Sequence, residues 1–331
     1  DDSLTVGIGG AAGLNFATNS GMGVGIGISA NTILKPATVK ILPSSRMSVK
    51  TAAIGAATSS RIYGFGISVG VGRTAIAGSL TINTIKNPAK VEMGATSGGR
   101  LYFQSNDTVL AVKETSEILG AAGALALSGN AKTAAGGSIV INTIANDSRL
   151  DVIKTDIVRN GSGNRAKVTA TALATTEIRG YAVAATQASS RSIAGGFVSN
   201  VIDNTLNVSM LRTKITAGRF VDISVTNDRY LQSLAGGVGI SGKGGGGGAA
   251  TLNLILGDEA VIDLSHATFI TNADRGIQAK ASSTAEILSA AAGIAVSGKT
   301  GIAPSATANV ANGSTGVRAT DAEIDARKAG G

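Results

Sequence analysis

Six times along the chain, a run of small and aliphatic residues ends in an Asn with an aliphatic residue two places on. The copies are Asn31-Thr32-Ile33, Asn83-Thr84-Ile85, Asn142-Thr143-Ile144, Asn200-Val201-Ile202, Asn253-Leu254-Ile255 and Asn309-Val310-Ala311. The intervals are 52, 59, 58, 53 and 56 residues. A period of this size marks an array of like units, none of which can bury its apolar face alone. The scatter in the interval belongs in turns.

Two alternating segments follow each Asn. The first reads ATVKIL from Ala37, AKVEM from Ala89, RLDVI from Arg149, LNVSM from Leu206 and AVIDL from Ala260. The second opens on an arginine: Arg46, Arg100, Arg165, Arg219 and Arg275. Apolar and polar residues alternate with period two, which predicts half-buried strands. The arginine reads as a solvated strand start.

A third segment alternates large aliphatics with Gly or Ala: ILGAAGALALSG from Ile118, LQSLAGGVGISG from Leu231 and ILSAAAGIAVSG from Ile287. Glycine disfavours helix here by about 1 kcal/mol per residue relative to Ala, and β-branched residues favour strand. The pattern predicts that Leu125, Leu127, Ile240, Ile294 and Val296 fill a lumen. The opposite row, including Gly239 and Ala295, then forms a smooth outer strip, open to self-association or to a neighbouring segment of the same protein. A repeat this long is expected to wind into two or three coils, so six repeats predict a rod of roughly 55 to 85 Å.

Composition agrees with a thin, repeated core. Glycine contributes 46 of 331 residues and aromatics 3%, with no Trp, so a wide globular interior lacks its material. Hydrophobic content is still 43%, more than a disordered chain carries. The absence of Cys excludes disulfides, thiolate metal sites and thiol catalysis. Net charge is +8, but the cations are scattered and base-stacking aromatics are scarce, which argues against nucleic acid. Weak attraction to anionic cell surfaces is the better expectation. The uncharged stretch 3–34 is broken by Asn15, Asn19, Ser20, Asn31 and glycines, so no membrane span is expected.

The repeats resemble the passenger repeats of leukotoxin-type filamentous adhesins, exported by autotransporter or two-partner routes in Gram-negative bacteria. The clearest copy runs from Asn204-Thr205 through Lys214-Ile215-Thr216-Ala217-Gly218 to Val221-Asp222-Ile223-Ser224-Val225. The resemblance implies a right-handed parallel β-helix, export, and a stalk or adhesive role. Two-partner secretion domains carry Asn-Pro motifs near their start, whereas Asn87-Pro88 lies inside a repeat. No signal peptide or translocator barrel pattern is read here. The expectation is one elongated β-solenoid segment, 1–331, of a longer protein.

Motifs that could carry chemistry are weak. Gly293-Ile294-Ala295-Val296-Ser297-Gly298-Lys299-Thr300 matches the phosphate-cradling P-loop. Gly301 and Pro304 follow where a helix is required, and Ser241-Gly242-Lys243-Gly244 fills the same slot in another repeat. The match therefore reads as a repeat turn, and the run Gly244 to Gly248 reads as a turn or close-packed edge. His266, the single histidine, has no metal-ligating or triad partners and reads as an exposed turn. Asp222, Asp228, Asp258, Glu259 and Asp263 come nearest to a carboxylate cluster, yet they read as solvated strand or turn positions.

No catalytic, cofactor-binding or metal residue is expected, and no cofactor. The sequence predicts a non-enzymatic adhesive stalk, secreted or displayed on the bacterial surface, with a receptor or glycan on a host or neighbouring cell as partner. The alternative is a glycan-active β-helix enzyme of the polysaccharide lyase or hydrolase kind.

Overall fold

The computed structural model describes residues 5–9, 18–43, 46–159, 166–271 and 276–326, without the side chains of 5–9, 18–21, 130–132 and 258–259. Alternating aliphatic and polar residues produce strands throughout, and no helix occurs among the described residues. None of them therefore forms a helix long and apolar enough to cross a membrane.

From Thr18 onward every pairing is parallel and joins residues one repeat apart. Thr51 pairs with Asp107, Asp107 with Lys167, and Lys167 with Phe220. One repeat therefore makes one layer, which corrects the expectation of two or three coils per repeat. The arms are long: Lys167–Ala188 is a single strand of 22 residues. One circuit consumes a whole repeat, and six layers stack over about 25 to 30 Å rather than 55 to 85 Å.

Each circuit has three sides. An outgoing arm such as Lys167–Ala188 leads to a tight turn, and a returning arm such as Arg191–Leu211 runs back. A short third side follows, here Lys214–Ala217. The arms belong to one thirteen-stranded sheet, and the third sides stack as a separate six-stranded sheet. The arginine-led strands accordingly split into two groups. Those at Arg46 and Arg100 belong to third sides, whereas the one at Arg219 leads into an outgoing arm. Arg165 and Arg275 lie outside the described residues.

The corner before five of the six third sides is a column of left-handed residues: Gly94, Lys154, Arg212, His266 and Asp321, with φ between 46° and 74°. Backbone hydrogen bonds tie these corners together, as in His266 N–H to Thr320 O at 2.8 Å.

The space between the arms tapers. At the wide end, beside the third side, Phe103, Ile157, Ile215 and Phe269 pack on Leu110, Val221, Leu150 and Val208. In the middle, two isoleucine-rich columns meet, Ile62, Ile118, Ile178 and Leu231 against Ile85, Ile144, Ile202 and Ile255. Beyond them the interior is mostly alanine: Ala122, Ala124, Ala126, Ala182, Ala184 and Ala194 are buried there, with Val140 and Val198 facing Ala122 and Ala182. At the narrow end the arms touch backbone to backbone. A β-carbon on Gly237 would lie 2.2 Å from Gly248 O, and one on Gly247 would lie 2.0 Å from Ile294 O.

This taper reverses the inward assignment of the third segment. Gly, Ala and Ser face inward, and the large aliphatics face out. Ile240 is 42% exposed, Ile294 51% and Val296 54%; Leu125 is also exposed, and Leu127 is half-buried. No lumen wide enough for leucine exists between arms in backbone contact. The Gly/Ala row is covered by the returning arm of the same chain, so it offers no outer strip for self-association.

Candidate functional site

The repeated asparagine is an interior device. Asn31, Asn83, Asn142, Asn200, Asn253 and Asn309 stack one per layer, each Nδ2 donating to the next Oδ1 at 2.8 to 3.0 Å. Asn83, Asn142, Asn200 and Asn253 are fully buried. The second N–H bonds across the taper: Asn253 donates to Ser233 Oγ at 2.8 Å and Asn309 to Ser289 Oγ at 2.9 Å. The glycines opposite make room. A β-carbon at Gly120 would stand 2.4 Å from Asn142 Oδ1. Buried amides must be paired, and here pairing fixes both layer register and arm spacing.

A second polar column lies four residues further along the returning arm, past the isoleucine column. Asn87 N–H donates to Asn146 Oδ1 at 2.7 Å, and Asn146 N–H to Asn204 Oδ1 at 3.2 Å. Glu114 joins it, 1% exposed, accepting from Ser148 Oγ at 2.6 Å, from Ser116 Oγ at 3.3 Å and from Asn146 Nδ2. Burial pushes its carboxyl above the ordinary range, and the three hydrogen bonds oppose that shift. Sequence reasoning missed Glu114. Its inward parity in DTVLAVKETSEIL is the signal that would have found it. Sealed from solvent, it can support structure but cannot meet a substrate.

The P-loop match forms strand, turn and strand. It spans the end of Ile277–Ser297, a turn at 298–299 and the start of Thr300–Ile302. Ser297 Oγ accepts from the N–H groups of Lys299 and Thr300, and among the described residues no helix N-terminus faces the loop. The run Gly244 to Gly248 lies in Gly244–Asp263, in close contact with the opposite arm.

His266 occupies the left-handed corner, exposed, 3.4 Å from Asp321. A cavity of about 600 Å³ nearby is lined by Arg100, Asp156, Arg212, Lys214 and His266. Arg100 already holds Asp156, through Nε at 3.0 Å.

The carboxylates do not converge. Asp228 accepts from Thr284 Oγ1 at 2.6 Å on an outgoing arm, and Asp263 accepts from Ser265 on a returning arm. Asp222 begins an outgoing arm, paired laterally with Thr169 and Gln278. The side chains of Asp258 and Glu259 lie outside the described residues. Among the described residues no group of three or more His, Cys, Asp or Glu could hold a metal ion.

The nearest approach to an acid/base pair is one the sequence did not suggest. Glu92 and Asp151 are lateral neighbours in adjacent layers. Burial raises the Asp151 carboxyl, Arg149 lowers it and Glu92 raises it. Glu92 is bound to Lys40 at 3.0 Å. Only the register between layers brings these residues together.

No family model matches the chain, and neither the curated proteins nor the solved structures include a significant match.

Proposed function

We propose that the chain is a segment of a right-handed parallel β-solenoid serving as a non-catalytic adhesive stalk of a large secreted or surface-displayed bacterial protein. The asparagine ladder carries this reading. Each layer presents the next with the same donor, the same acceptor and the same aliphatic column, so length can grow without new interactions. Length is the property a stalk needs. The outer faces add adhesive capacity, because large apolar side chains such as Tyr63, Phe65, Ile67, Val183 and Leu234 stand exposed. Export and surface display enter this reading through the family resemblance of the repeats, clearest at 204–225. Adhesion of beads coated with the purified chain to host and bacterial cells tests it. Retention well above that of albumin-coated beads is expected, and equal retention contradicts the adhesive role.

The raised Asp151 carboxyl beside Glu92 favours a second reading, a glycan-active enzyme. Turnover of acidic or neutral polysaccharides that vanishes in Asp151→Asn would establish it. The stalk reading expects no turnover.

A further inference from the structure

The tapered half of every layer is free of carboxylates. No Asp or Glu occurs in 62–91, 118–146, 178–202, 229–257 or 287–320. The turn at the narrow edge nevertheless carries one cation in each of five successive repeats: Arg73, Lys132, Arg191, Lys243 and Lys299. Of these, the Lys132 side chain is outside the described residues.

The turns are held layer to layer. Ser128 Oγ donates to Arg73 O at 2.7 Å, and Ser297 Oγ makes the same bond to Lys243 O at 3.0 Å. Lys243 N–H donates to Ser190 O and Thr300 N–H to Lys243 O. The cations are thereby spaced along the stacking axis at about one per 4.8 Å. A cavity of about 590 Å³ opens on this edge, lined by Thr133, Ser190, Arg191, Lys243, Lys299 and Thr300. Three hydroxyls stand among three cations, and among the described residues no ion pair neutralises Arg191, Lys243 or Lys299. A row of one sign without counter-charges focuses its field along the edge.

We propose that this acid-free edge is a binding cleft for a linear acidic polysaccharide, laid along the stacking axis with about one carboxylated sugar per layer. The proposal rests on the non-catalytic binding reading above. A narrow file of cations in a concavity suits a single extended chain better than a flat bilayer. The edge lacks aromatic side chains among the residues lining the cavity, so bases would find nothing to stack on. The hydroxyls of Thr133, Ser190 and Thr300 can bond sugar hydroxyls between the charged contacts.

Titration calorimetry of the whole chain with oligogalacturonate at low ionic strength tests this, with neutral dextran as control. Binding to oligogalacturonate alone is expected, weakened at about 0.5 M salt. Arg191→Ser, Lys243→Ser and Lys299→Ser combined should weaken it by about tenfold or more while the far-ultraviolet dichroism and melting curve stay unchanged. Arg191→Lys, which keeps the charge, should retain binding, as should Lys214→Ser on the opposite corner. Should the triple variant unfold, Lys243→Ser alone must still weaken binding without affecting dextran. Undiminished affinity in the folded triple variant, no binding by the parent, or binding only to anionic vesicles would overturn the proposal. A parent that adheres to cells yet ignores oligogalacturonate sinks the cleft and leaves the stalk reading standing.

Discussion

A β-carbon on Gly239 would lie 2.2 Å from the carbonyl oxygen of Gly246, on the opposite arm of the same layer. The two sheets are in backbone contact there, and this contact sets which residues the chain can place inside. Gly239→Val is therefore expected to destabilise by about 3 kcal/mol or more, since neither backbone can retreat without breaking its ladder. Leu127→Ser, on the outer side of an equivalent arm, should cost less than about 1 kcal/mol. Urea unfolding of both variants checks the order. The reverse order would restore an aliphatic lumen.

Removing one rung of the asparagine ladder leaves one donor and one acceptor of its two buried neighbours unpaired. Asn142 accepts from Asn83 and donates to Asn200 at 2.8 and 2.9 Å. Asn142→Leu should cost about 2 to 4 kcal/mol, because Asn83 loses an acceptor and Asn200 loses a donor. Asn309→Leu strips only one neighbouring rung and should cost less. Guanidinium midpoints compare the two, and equal losses would mean the ladder is not the source.

The repeat, the strands and the P-loop's turn character were legible in the sequence because they depend on local pattern. Period two and Gly-Ser punctuation act within a few residues. The facing of the third segment was not legible. ALALS from Ala124 and GIAVS from Gly293 show two alternating rows, one large and one small, and hydrophobicity assigns the large row inward. The decision belongs to the distance between the arms, which depends on glycines facing each other across the turn, such as Gly239 and Gly246. Layer register was equally hidden, so the pairing of Glu92 with Asp151 and the axial row of edge cations appear only when repeats are stacked.

Glu114 makes stability depend on pH. Its carboxyl is raised by burial in the folded chain, so the folded state holds the proton more tightly than the unfolded one. Its contribution is fully present below about pH 4.3, the unfolded value, and is lost as pH rises through the folded value. Glu114→Gln should flatten the stability profile in that window and unfold at higher urea than the parent at neutral pH. A parent and variant with parallel profiles would show that Glu114 titrates normally.

Left-handed corners strain residues that carry a β-carbon. Lys154 and Arg212 hold φ of 46° and 52° where the layer before them uses Gly94. Lys154→Gly is expected to change stability little or raise it by about 0.5 to 1 kcal/mol, the left-handed relief being offset by unfolded-chain entropy. A loss above about 2 kcal/mol in thermal unfolding would show that the lysine side chain holds the corner.

The central claim is that one repeat makes one layer, and a cysteine pair measures it directly. Thr143 and Val201 are lateral partners on the outer face, and the chain has no cysteine of its own. Neighbouring parallel strands lie about 4.8 Å apart, within the Cα separation a disulfide spans. The variant Thr143→Cys with Val201→Cys should oxidise to an intramolecular disulfide in nearly every monomer, read as a mobility shift under non-reducing conditions and by peptide mass. Two or three coils per repeat would hold these residues about 10 to 15 Å apart. A folded monomer that keeps both thiols free under mild oxidant would contradict the account.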